Sequence, residues 1–225
     1  MLSAIILAAG QGKRLKAAVP KPLVEIGNRP TITYSLSTLD KHPDIDEIIV
    51  VLSAENRSQV TKIIKSYAFK KIKSFILGGK RRQDSVYNGL KEISLNADWV
   101  LIHDAARPFV DRAEITKLIS AAKKTGSAIL AVPVKATIKS IKNRRWVDRT
   151  LDRTNLWEIQ TPQVFRKELL LKAYKKYFKM NVTDDASLVE KLKKEIKIVP
   201  GSYKNIKITT FEDLLFAQAI IQRKS

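Results

Sequence analysis

The chain has 225 residues, no cysteine and two histidines, and its 42 lysines and arginines against 22 aspartates and glutamates give a formal net charge of +20 at pH 7. This composition excludes disulfides, thiolate zinc sites, cysteine nucleophiles and a histidine-built metal centre. Any metal should be a hard ion on carboxylate and phosphate oxygens, with Mg²⁺ the default. No apolar run approaches the roughly 18 residues of a membrane span, and no basic region precedes the apolar stretch 4–9. We therefore expect a cytoplasmic protein without a membrane partner, whose charge attracts nucleotides, phosphorylated metabolites or nucleic acid.

From residue 3 to residue 133, apolar runs of strand length alternate with helical patterns. The predicted elements are, in chain order, strand Ser3–Ala8, helix Thr31–Leu39, strand Glu47–Leu52, helix Gln59–Tyr67, strand Lys73–Leu77, helix Asp84–Leu95, strand Trp99–His103, helix Glu114–Lys124 and strand Ser127–Pro133. This pattern predicts an α/β fold with a mostly parallel sheet covered by helices on both faces. Ligands of such sheets bind outside the carboxyl ends of the strands, which makes 9–22, 78–85, 103–108 and 134–140 the candidate binding loops.

The alternation breaks from Lys135 to Gln163, a basic stretch without a helical apolar stripe. Its alternating passage from Arg145 to Leu151 predicts a projecting β-arm, which either packs on a second subunit or forms a local hairpin. Regular structure then resumes in helices Lys167–Phe178, Ala186–Lys193 and Glu212–Gln222 and in strands Ile196–Val199 and Asn205–Ile208. Because the chain has no repeat and no linker, we expect a single domain over 1–225.

The loop after the first strand has the character of a phosphate site. Two glycines between small residues let backbone N–H groups approach an anion closely, and Lys13, Arg14 and Lys21 add positive charge. A dinucleotide fingerprint is excluded because Leu15 stands where its third glycine is required, and a P-loop because Leu7 and Arg14 replace its first glycine and its Ser or Thr. The loop is therefore a phosphate-type loop of another kind, with a plain tight turn as the alternative.

Two later loops carry candidate ligand groups. In 78–86 a glycine pair precedes Ser85, whose hydroxyl can donate or accept a hydrogen bond, although a turn and helix cap explain the segment equally simply. In His103–Pro108, Asp104 can hold a metal ion or ribose hydroxyls and Arg107 can bind a phosphate bidentately, with a salt-bridged turn as the alternative. Four further hydroxyls and cations have no motif strength of their own: Thr137, Arg153, Thr161 and Lys207.

Taken in order, these segments resemble the 2-C-methyl-D-erythritol 4-phosphate cytidylyltransferase family of the non-mevalonate isoprenoid pathway. The motifs that carry the resemblance are Leu-Ala-Ala-Gly-x-Gly-x-Arg, Pro-Lys, Gly-Gly-x-x-Arg-Gln-x-Ser-Val, His-Asp-Ala-Ala-Arg-Pro, Ala-x-Pro-Val-x-x-Thr-Ile-Lys, Gln-Thr-Pro-Gln-x-Phe, Thr-Asp-Asp-Ala-Ser and Asn-Ile-Lys-Ile-Thr. They extend from Ala4 to about Ala219. The resemblance implies a Rossmann-like nucleotidyltransferase fold in which residues 136–158 form an arm that interlocks two subunits of a homodimer.

The resemblance also implies a role for each site residue. The residues expected to bind CTP are Ala8, Ala9, Gly10 and Gly12 around the nucleotide, Gly79 and Ser85 at the cytosine, and Asp104 and Ala105 beside the ribose. Arg14 and Lys21 take the catalytic positions. The residues expected to bind the phosphorylated polyol are Arg107, Thr137 and Lys207, joined by Arg153 and Thr161 from the partner's arm. Mg²⁺ is expected on the CTP phosphates, with Asp104 as its tentative protein ligand.

The implied chemistry suits a chain with few imidazoles and no thiol. An acceptor phosphate oxygen attacks the α-phosphorus of CTP in line, and it needs no strong general base because a phosphate monoester is largely ionised at neutral pH. Arg14, Lys21 and Mg²⁺ then stabilise the charge that accumulates around phosphorus.

The sequence departs from the family at three positions. Pro22 stands where the family often has Gln, Ala136 where Asp often precedes Thr, and Lys80 at a variable site near the base. The nearest alternative is ribitol-5-phosphate cytidylyltransferase, against which Ala105-Ala106 and the run 183–187 argue. A basic nucleic-acid-binding module is supported by the charge alone, since the singled-out cations lie in glycine-rich loops after strands, and we expect no nucleic-acid partner.

Overall fold

Seven strands form a central sheet in the computed structural model, which describes residues 1–10, 12, 14–15 and 19–222. The strands are β1 (Leu2–Ala8), β2 (Glu25–Ile26), β3 (Arg29–Pro30), β4 (Glu47–Leu52), β5 (Ile72–Leu77), β6 (Trp99–Asp104), β7 (Ser127–Pro133), β8 (Lys139–Lys142), β9 (Trp146–Thr150), β10 (Trp157–Arg166) and β11 (Lys197–Pro200). The α-helices are α1 (Thr31–Asp40), α2 (Arg57–Ser66), α3 (Arg82–Glu92), α4 (Arg112–Thr125), α5 (Lys167–Tyr177), α6 (Ala186–Glu190) and α7 (Phe211–Gln222). Lys13, one of the cations of the predicted phosphate loop, lies outside the described residues.

The central sheet has the strand order β11-β7-β10-β6-β1-β4-β5. Adjacent strands of this sheet pair in parallel, except that β10 runs antiparallel to both β6 and β7. Apolar side chains alternate between the two faces, so that Ile6 packs under α1, α2 and α4 whereas Ile5 packs under α3, α5 and α6. The predicted α/β fold with a mostly parallel sheet between helices is therefore confirmed.

Helix α3 lies unusually close to the sheet. A Cβ added at Gly89 would stand 2.7 Å from Cγ2 of Ile5, so only a glycine permits this approach of α3 to β1. The close contact holds the N-terminal end of α3 beside the loop that follows β1. None of the helices in the part of the chain described above is long and apolar enough to cross a bilayer.

Two sequence-based predictions about the last third of the chain were wrong. The stretch 135–163 was expected to lie outside the sheet, but its last residues belong to the interior strand Trp157–Arg166, and Gln163 is fully buried there. The segment Asn205–Ile208 was predicted as a strand but pairs with no strand among the described residues; it is held instead by the Asn205 side chain and by one backbone bond from Ile208 to Ala106. Its alternating apolar residues face the cluster under α7 rather than a sheet neighbour.

The predicted arm contains a two-stranded antiparallel hairpin. Strands β8 and β9 pair from Lys139 opposite Thr150 to Lys142 opposite Trp146, and every residue of β9 is exposed. The far end of the predicted arm, at residues 157 and 158, already belongs to β10. The hairpin thus leads directly into the central sheet.

Candidate active site

A cavity of about 590 Å³ opens at the carboxyl ends of the four adjacent strands β6, β1, β4 and β5. This is the edge at which parallel sheets bind ligands. The residues that line it are Leu7–Gly10, Gly12, Arg14, Lys21, Pro22, Thr31, Ser53–Glu55, Gly78–Arg82, Ser85, Asp104–Ala106, Lys207 and Thr209. Three of the four predicted binding loops meet here, and 134–140 does not reach the cavity.

The structure brings together most of the residues singled out in the sequence. Both predicted catalytic residues, Arg14 and Lys21, line the cavity. So do all eight residues predicted to bind CTP: Ala8, Ala9, Gly10, Gly12, Gly79, Ser85, Asp104 and Ala105. Of the five predicted acceptor residues only Lys207 is among the lining residues.

Glycines allow the loops after β1 and β5 to touch. A Cβ on Gly78 would stand 2.5 Å from Cβ of Ala9 and 2.7 Å from Oγ of Ser85, and the Ala9 Cβ cannot move without shifting its backbone. The N–H of Gly79 donates to that same Ser85 hydroxyl at 3.1 Å. Gly79 and Ser85 thus present hydrogen-bonding groups without charge, which suit a heterocyclic base, while Lys80, Arg81 and Arg82 of the same segment add positive charge to the cavity.

Three cations also gather in the cavity: Lys21, Lys207 and Arg14. Lys21 lies directly against Gly12, which has a φ of +65°. A Cβ added at Gly12 would stand only 2.9 Å from Cβ of Lys21, so the close approach depends on the glycine. Burial lowers the pKa of Lys21 to about 8, helped by the charges of Lys207 and Arg14 and opposed by those of Asp104 and Asp213. Such a cluster of like charges attracts phosphate oxygens, and in their absence it disfavours its own protonation.

Asp104 is a carboxylate that lines the cavity between two cations. Its Oδ1 accepts hydrogen bonds from Nε and Nη2 of Arg82, each at 3.2 Å, and its Oδ2 accepts from Nζ of Lys207 at 2.6 Å. Burial by itself would raise the pKa of Asp104, but the charges of Arg82 and Lys207 outweigh it and hold the pKa well below its usual value. Asp104 is therefore ionised throughout the physiological range and can accept hydrogen bonds or bind a hard cation.

Arg82 was missed as a site residue by the sequence reasoning. It is the first residue of α3, it lines the cavity, and its Nη1 donates to Oδ2 of Asp185 at 2.7 Å. A sequence signal did exist, since Arg82 is a fixed position of the glycine-pair motif quoted above. Its two carboxylate partners are remote in sequence, so only the fold reveals what it binds.

Thr161 supports Asp104 from behind rather than lining the cavity. Its Oγ accepts from the N–H of Asp104 at 3.0 Å and, since that N–H can only donate, the hydroxyl proton is directed to Nδ1 of His103 at 3.1 Å. The Nε2–H of His103 then donates to the carbonyl of Arg107 at 3.1 Å. Burial lowers the pKa of His103 to about 4, so the imidazole is neutral and suits this arrangement.

Arg107 is also turned away from the cavity. Its Nη1 donates to the carbonyl of Asn205 at 2.7 Å and its Nη2 to that of Ile159 at 3.3 Å, while its side chain is almost fully buried. It thereby ties β10 to the segment that carries Lys207. The remaining two predicted acceptor residues, Thr137 and Arg153, are exposed at the base of the arm, where Nη1 of Arg153 donates to the carbonyl of Lys135.

The sequence and structure were compared with known proteins. Residues 2–223 match the family described as IspD: 2-C-methyl-D-erythritol 4-phosphate cytidylyltransferase. A relative of that name from Shouchella clausii is 46% identical over 224 residues, which cover 99% of this chain and 97% of the relative. Another from Geobacillus thermodenitrificans is 45% identical, with coverages of 97% and 96%.

Solved structures agree with the sequence comparison. The structure of 4-diphosphocytidyl-2C-methyl-D-erythritol synthase from Anaerococcus prevotii superposes with a TM-score of 0.87 at 38% identity, covering 99% of this chain and 96% of that one. The 2-C-methyl-D-erythritol 4-phosphate cytidylyltransferase of Thermus thermophilus gives 0.79 at 29% identity, with 98% of each chain covered. Family match, relatives and superposition each span nearly the full length, and the chain belongs to the 2-C-methyl-D-erythritol 4-phosphate cytidylyltransferase family.

Proposed function

We propose that this chain transfers the cytidylyl group of CTP to 2-C-methyl-D-erythritol 4-phosphate in the cavity at the carboxyl ends of β6, β1, β4 and β5, releasing pyrophosphate. The observation that carries the proposal is the gathering of Arg14, Lys21 and Lys207 around one ionised carboxylate, in a cavity that also presents the uncharged hydrogen-bonding groups of Gly79 and Ser85. The cations suit two phosphorylated substrates that meet, and the uncharged groups suit a pyrimidine base. The product is a precursor in isoprenoid biosynthesis.

The nucleotide side of the cavity is assigned to the loops after β1, β5 and β6. The loop 8–12 wraps the phosphates with its backbone N–H groups. Gly79 and Ser85 read the amine and carbonyl edge of cytosine by hydrogen bonds. Asp104 and Ala105 lie beside the ribose.

Charge stabilisation at the α-phosphorus is the main catalytic requirement. The acceptor phosphate is already ionised and attacks in line, so no side chain has to remove a proton. Arg14 and Lys21 stabilise the charge on the transferring group more strongly in the transition state than in the ground state. The half-buried site of Lys21 strengthens this interaction, because fewer waters compete for its charge.

A divalent ion fits this donor set as a companion of the nucleotide. Mg²⁺ commonly binds through one or two carboxylates and the substrate phosphates, and Asp104 provides one ionised carboxylate in the cavity. Within the described ranges no cluster of three or more His, Asp or Glu residues is arranged to hold a metal. Asp104 would therefore share the ion with CTP, and the ion would supply positive charge for the phosphate oxygens.

The acceptor phosphate is assigned to Lys207, which exchanges its bond to Asp104 for one to the phosphate. Arg107 supports Lys207 through the carbonyl of Asn205, and because its side chain is buried away from the cavity it has a supporting role rather than direct contact with the acceptor. Arg153 would reach an acceptor from the partner's arm in a homodimer, whereas Thr137, expected at the acceptor phosphate, is exposed and does not line the cavity.

Homodimerisation through the arm is supported by its exposed apolar side chains. Ile141, Trp146 and Val147 are 52%, 67% and 56% exposed on a hairpin of mostly charged and polar residues. Ile141 and Val147 are paired across the two strands, while Trp146 lies on the other face. Apolar side chains exposed on a projecting hairpin are typical of a surface that another chain covers. Light scattering should give twice the chain mass for the wild type and a smaller mass for Trp146→Glu; a monomeric wild type would contradict the dimer.

Pyrophosphate release tests the function directly. The chain should release pyrophosphate with CTP and 2-C-methyl-D-erythritol 4-phosphate, and far less with the other three nucleotides or with ribitol 5-phosphate. Ribitol 5-phosphate is the less favoured acceptor because the relatives and structures named above carry the methylerythritol name. Lys21→Ala should lose roughly 10²- to 10³-fold in kcat, the usual cost of removing a transition-state donor, while remaining folded. Wild-type turnover in that variant would overturn the catalytic assignment.

A further inference from the structure

Asp185 lies outside the cavity and is connected to it by a single side chain. Its side chain is 1% exposed, and both of its oxygens are engaged. Oδ2 accepts from Nη1 of Arg82 at 2.7 Å and Oδ1 from the hydroxyl of Tyr174 at 2.5 Å. A buried carboxylate is costly unless it is paired, so the burial of Asp185 depends on its bonds to Arg82 and Tyr174.

Arg82 uses different edges of its guanidinium for two carboxylates. Nη1 binds Asp185, whereas Nε and Nη2 bind the same oxygen of Asp104. The planar group cannot rotate without breaking one of these contacts, because its five donors have a fixed geometry. Asp185 thus fixes the orientation in which Arg82 meets Asp104.

The anchor points of this network are rigid. Asp185 immediately precedes α6, and Tyr174 belongs to α5. The ring of Tyr174 stacks on that of Tyr87, with the ring centroids 5.8 Å apart. Gln163 of β10 receives the N–H of Ala186 on its side-chain oxygen at 3.3 Å, which joins α6 to the sheet. The network therefore transmits the position of the packed helices to the Asp104 carboxylate.

Lys207 and Arg82 hold Asp104 in different ways. The Lys207 side chain is 42% exposed and carries its ammonium on a flexible stem. The Arg82 side chain is 24% exposed and is hydrogen-bonded to both Asp104 and Asp185. When Lys207 turns to the acceptor phosphate, Arg82 is the partner that keeps Asp104 in place. This step rests on the function proposed above.

We infer that Asp185 is a positioning residue for nucleotide binding: through Arg82 it keeps the Asp104 carboxylate directed at the ribose and its metal ion while Lys207 engages the acceptor. Asp185 itself touches neither substrate. Its loss should consequently weaken the binding of CTP and leave the binding of the acceptor unchanged.

The test is a calorimetric titration of the full chain with CTP, in the presence and absence of Mg²⁺. Asp185→Asn should weaken CTP binding in the presence of Mg²⁺ by about 10- to 100-fold, the usual effect of losing a residue that orients a metal or substrate ligand. Asp184→Asn is the matched control. Asp184 accepts hydrogen bonds from the N–H and hydroxyl of Ser187 and from the side-chain amide of Gln163. It does not bond to Arg82 and does not line the cavity, so the Asp184→Asn variant should bind CTP as the wild type does.

Steady-state kinetics separate positioning from simple loss of folded protein. Fewer folded molecules would lower kcat with both KM values unchanged, whereas mispositioning of Asp104 should raise KM for CTP and spare KM for the acceptor. A double-mutant cycle with Arg82→Gln tests the route. If Asp185 acts through Arg82, the double variant should bind CTP no more weakly than Arg82→Gln alone.

Three results would overturn the inference: wild-type CTP affinity in Asp185→Asn, equal losses in Asp184→Asn, or additive losses in the double variant. If Asp185→Asn does not fold, Arg82→Lys replaces it, because a lysine cannot bridge both carboxylates. Wild-type CTP affinity in that folded variant would equally overturn the inference. A failure of the proposed function is recognised separately, since the wild type would then bind CTP without releasing pyrophosphate in the presence of the acceptor.

Discussion

The ionisation of Lys21 should limit the reaction at alkaline pH. The pKa of this half-buried lysine is lowered to about 8, first by burial and then by the neighbouring charges of Lys207 and Arg14. With that pKa about nine-tenths of the molecules carry the charge at pH 7 and about one-tenth at pH 9. Since only the protonated form stabilises charge at the α-phosphorus, kcat/KM for CTP should fall about tenfold between these two values.

The parameter kcat should fall less steeply than kcat/KM. It reports the enzyme with its substrates bound, and the CTP phosphates beside Lys21 raise the pKa of its ammonium. Rates are best measured from pH 7 to pH 9.5 at constant ionic strength with saturating acceptor. Over that range the acceptor phosphate, with a second pKa of about 6, is at least about nine-tenths ionised and contributes no alkaline limb of its own.

Lys21→Arg is the matched control for this experiment. A guanidinium stays charged far above pH 9.5, so the variant should lose the alkaline limb whatever its absolute rate. The reasoning fails if the wild-type profile is flat to pH 9.5, or if the same limb persists in Lys21→Arg.

The same pKa shift has a consequence for stability, with a definite sign. The folded-state pKa of Lys21 is about 8 and its ordinary value is 10.5, so the unfolded chain binds more protons between these limits. Stability should therefore rise with pH across that window, and the fold bears the full cost of charging Lys21 below pH 8. Lys21→Met should consequently melt no lower than the wild type at pH 7, although its turnover should fall as in Lys21→Ala.

Three further variants probe the frame of the site. Thr161→Val leaves the N–H of Asp104 and Nδ1 of His103 without their partner. The free energy of unfolding in urea should fall by about 1–3 kcal/mol, and Thr161→Ser should retain most of it. Equal stability of the two variants would contradict the hydrogen-bond argument. Gly78→Ala introduces a Cβ 2.5 Å from that of Ala9. The resulting strain of about 1–3 kcal/mol should raise KM for CTP about tenfold. An unchanged KM would show that the two loops can separate freely. Asp213→Asn removes one of the groups that raise the pKa of Lys21, so the alkaline limb should move to lower pH, and a move to higher pH would contradict this assignment.

Much of the fold could be predicted because the strands β1, β4 and β6 are buried on both faces. A strand covered on both sides needs apolar residues at nearly every position, and that leaves a clear run in the sequence. The loops that follow such runs then indicate the binding edge. The positions of Gly12 and Lys21 follow from this reasoning without any knowledge of the family.

Strand β10 was missed because its buried residues are partly polar. Gln160, Thr161 and Gln163 are buried with their side chains hydrogen-bonded to other parts of the chain, so they interrupt the apolar run that would have identified a strand. Conversely, the alternating residues of Asn205–Ile208 imitate a strand but face the cluster under α7. Burial of polar groups depends on partners that are distant in sequence, which a local pattern does not contain.

Contacts between remote charges were the second limit. Arg82 meets Asp185 across 103 positions of the chain. Composition and spacing give no sign of such a pair, because both residue types are usually solvated. The role of Lys207 in the cavity was likewise implied by resemblance alone, since one lysine among so many carries no signal.

The joint between β10 and the hairpin has a consequence for how such a protein can vary. The pairing of β10 with β7 shifts register between Ile159 and Gln163, so the part of the strand next to the arm is offset from the part that pairs with β6. Thr161, whose hydroxyl supports Asp104, lies within this irregular stretch. Irregularities of this kind often lie beside active sites, where they redirect a side chain. A change in the length of the arm before residue 157 would therefore act on Thr161 and, through it, on the backbone of Asp104.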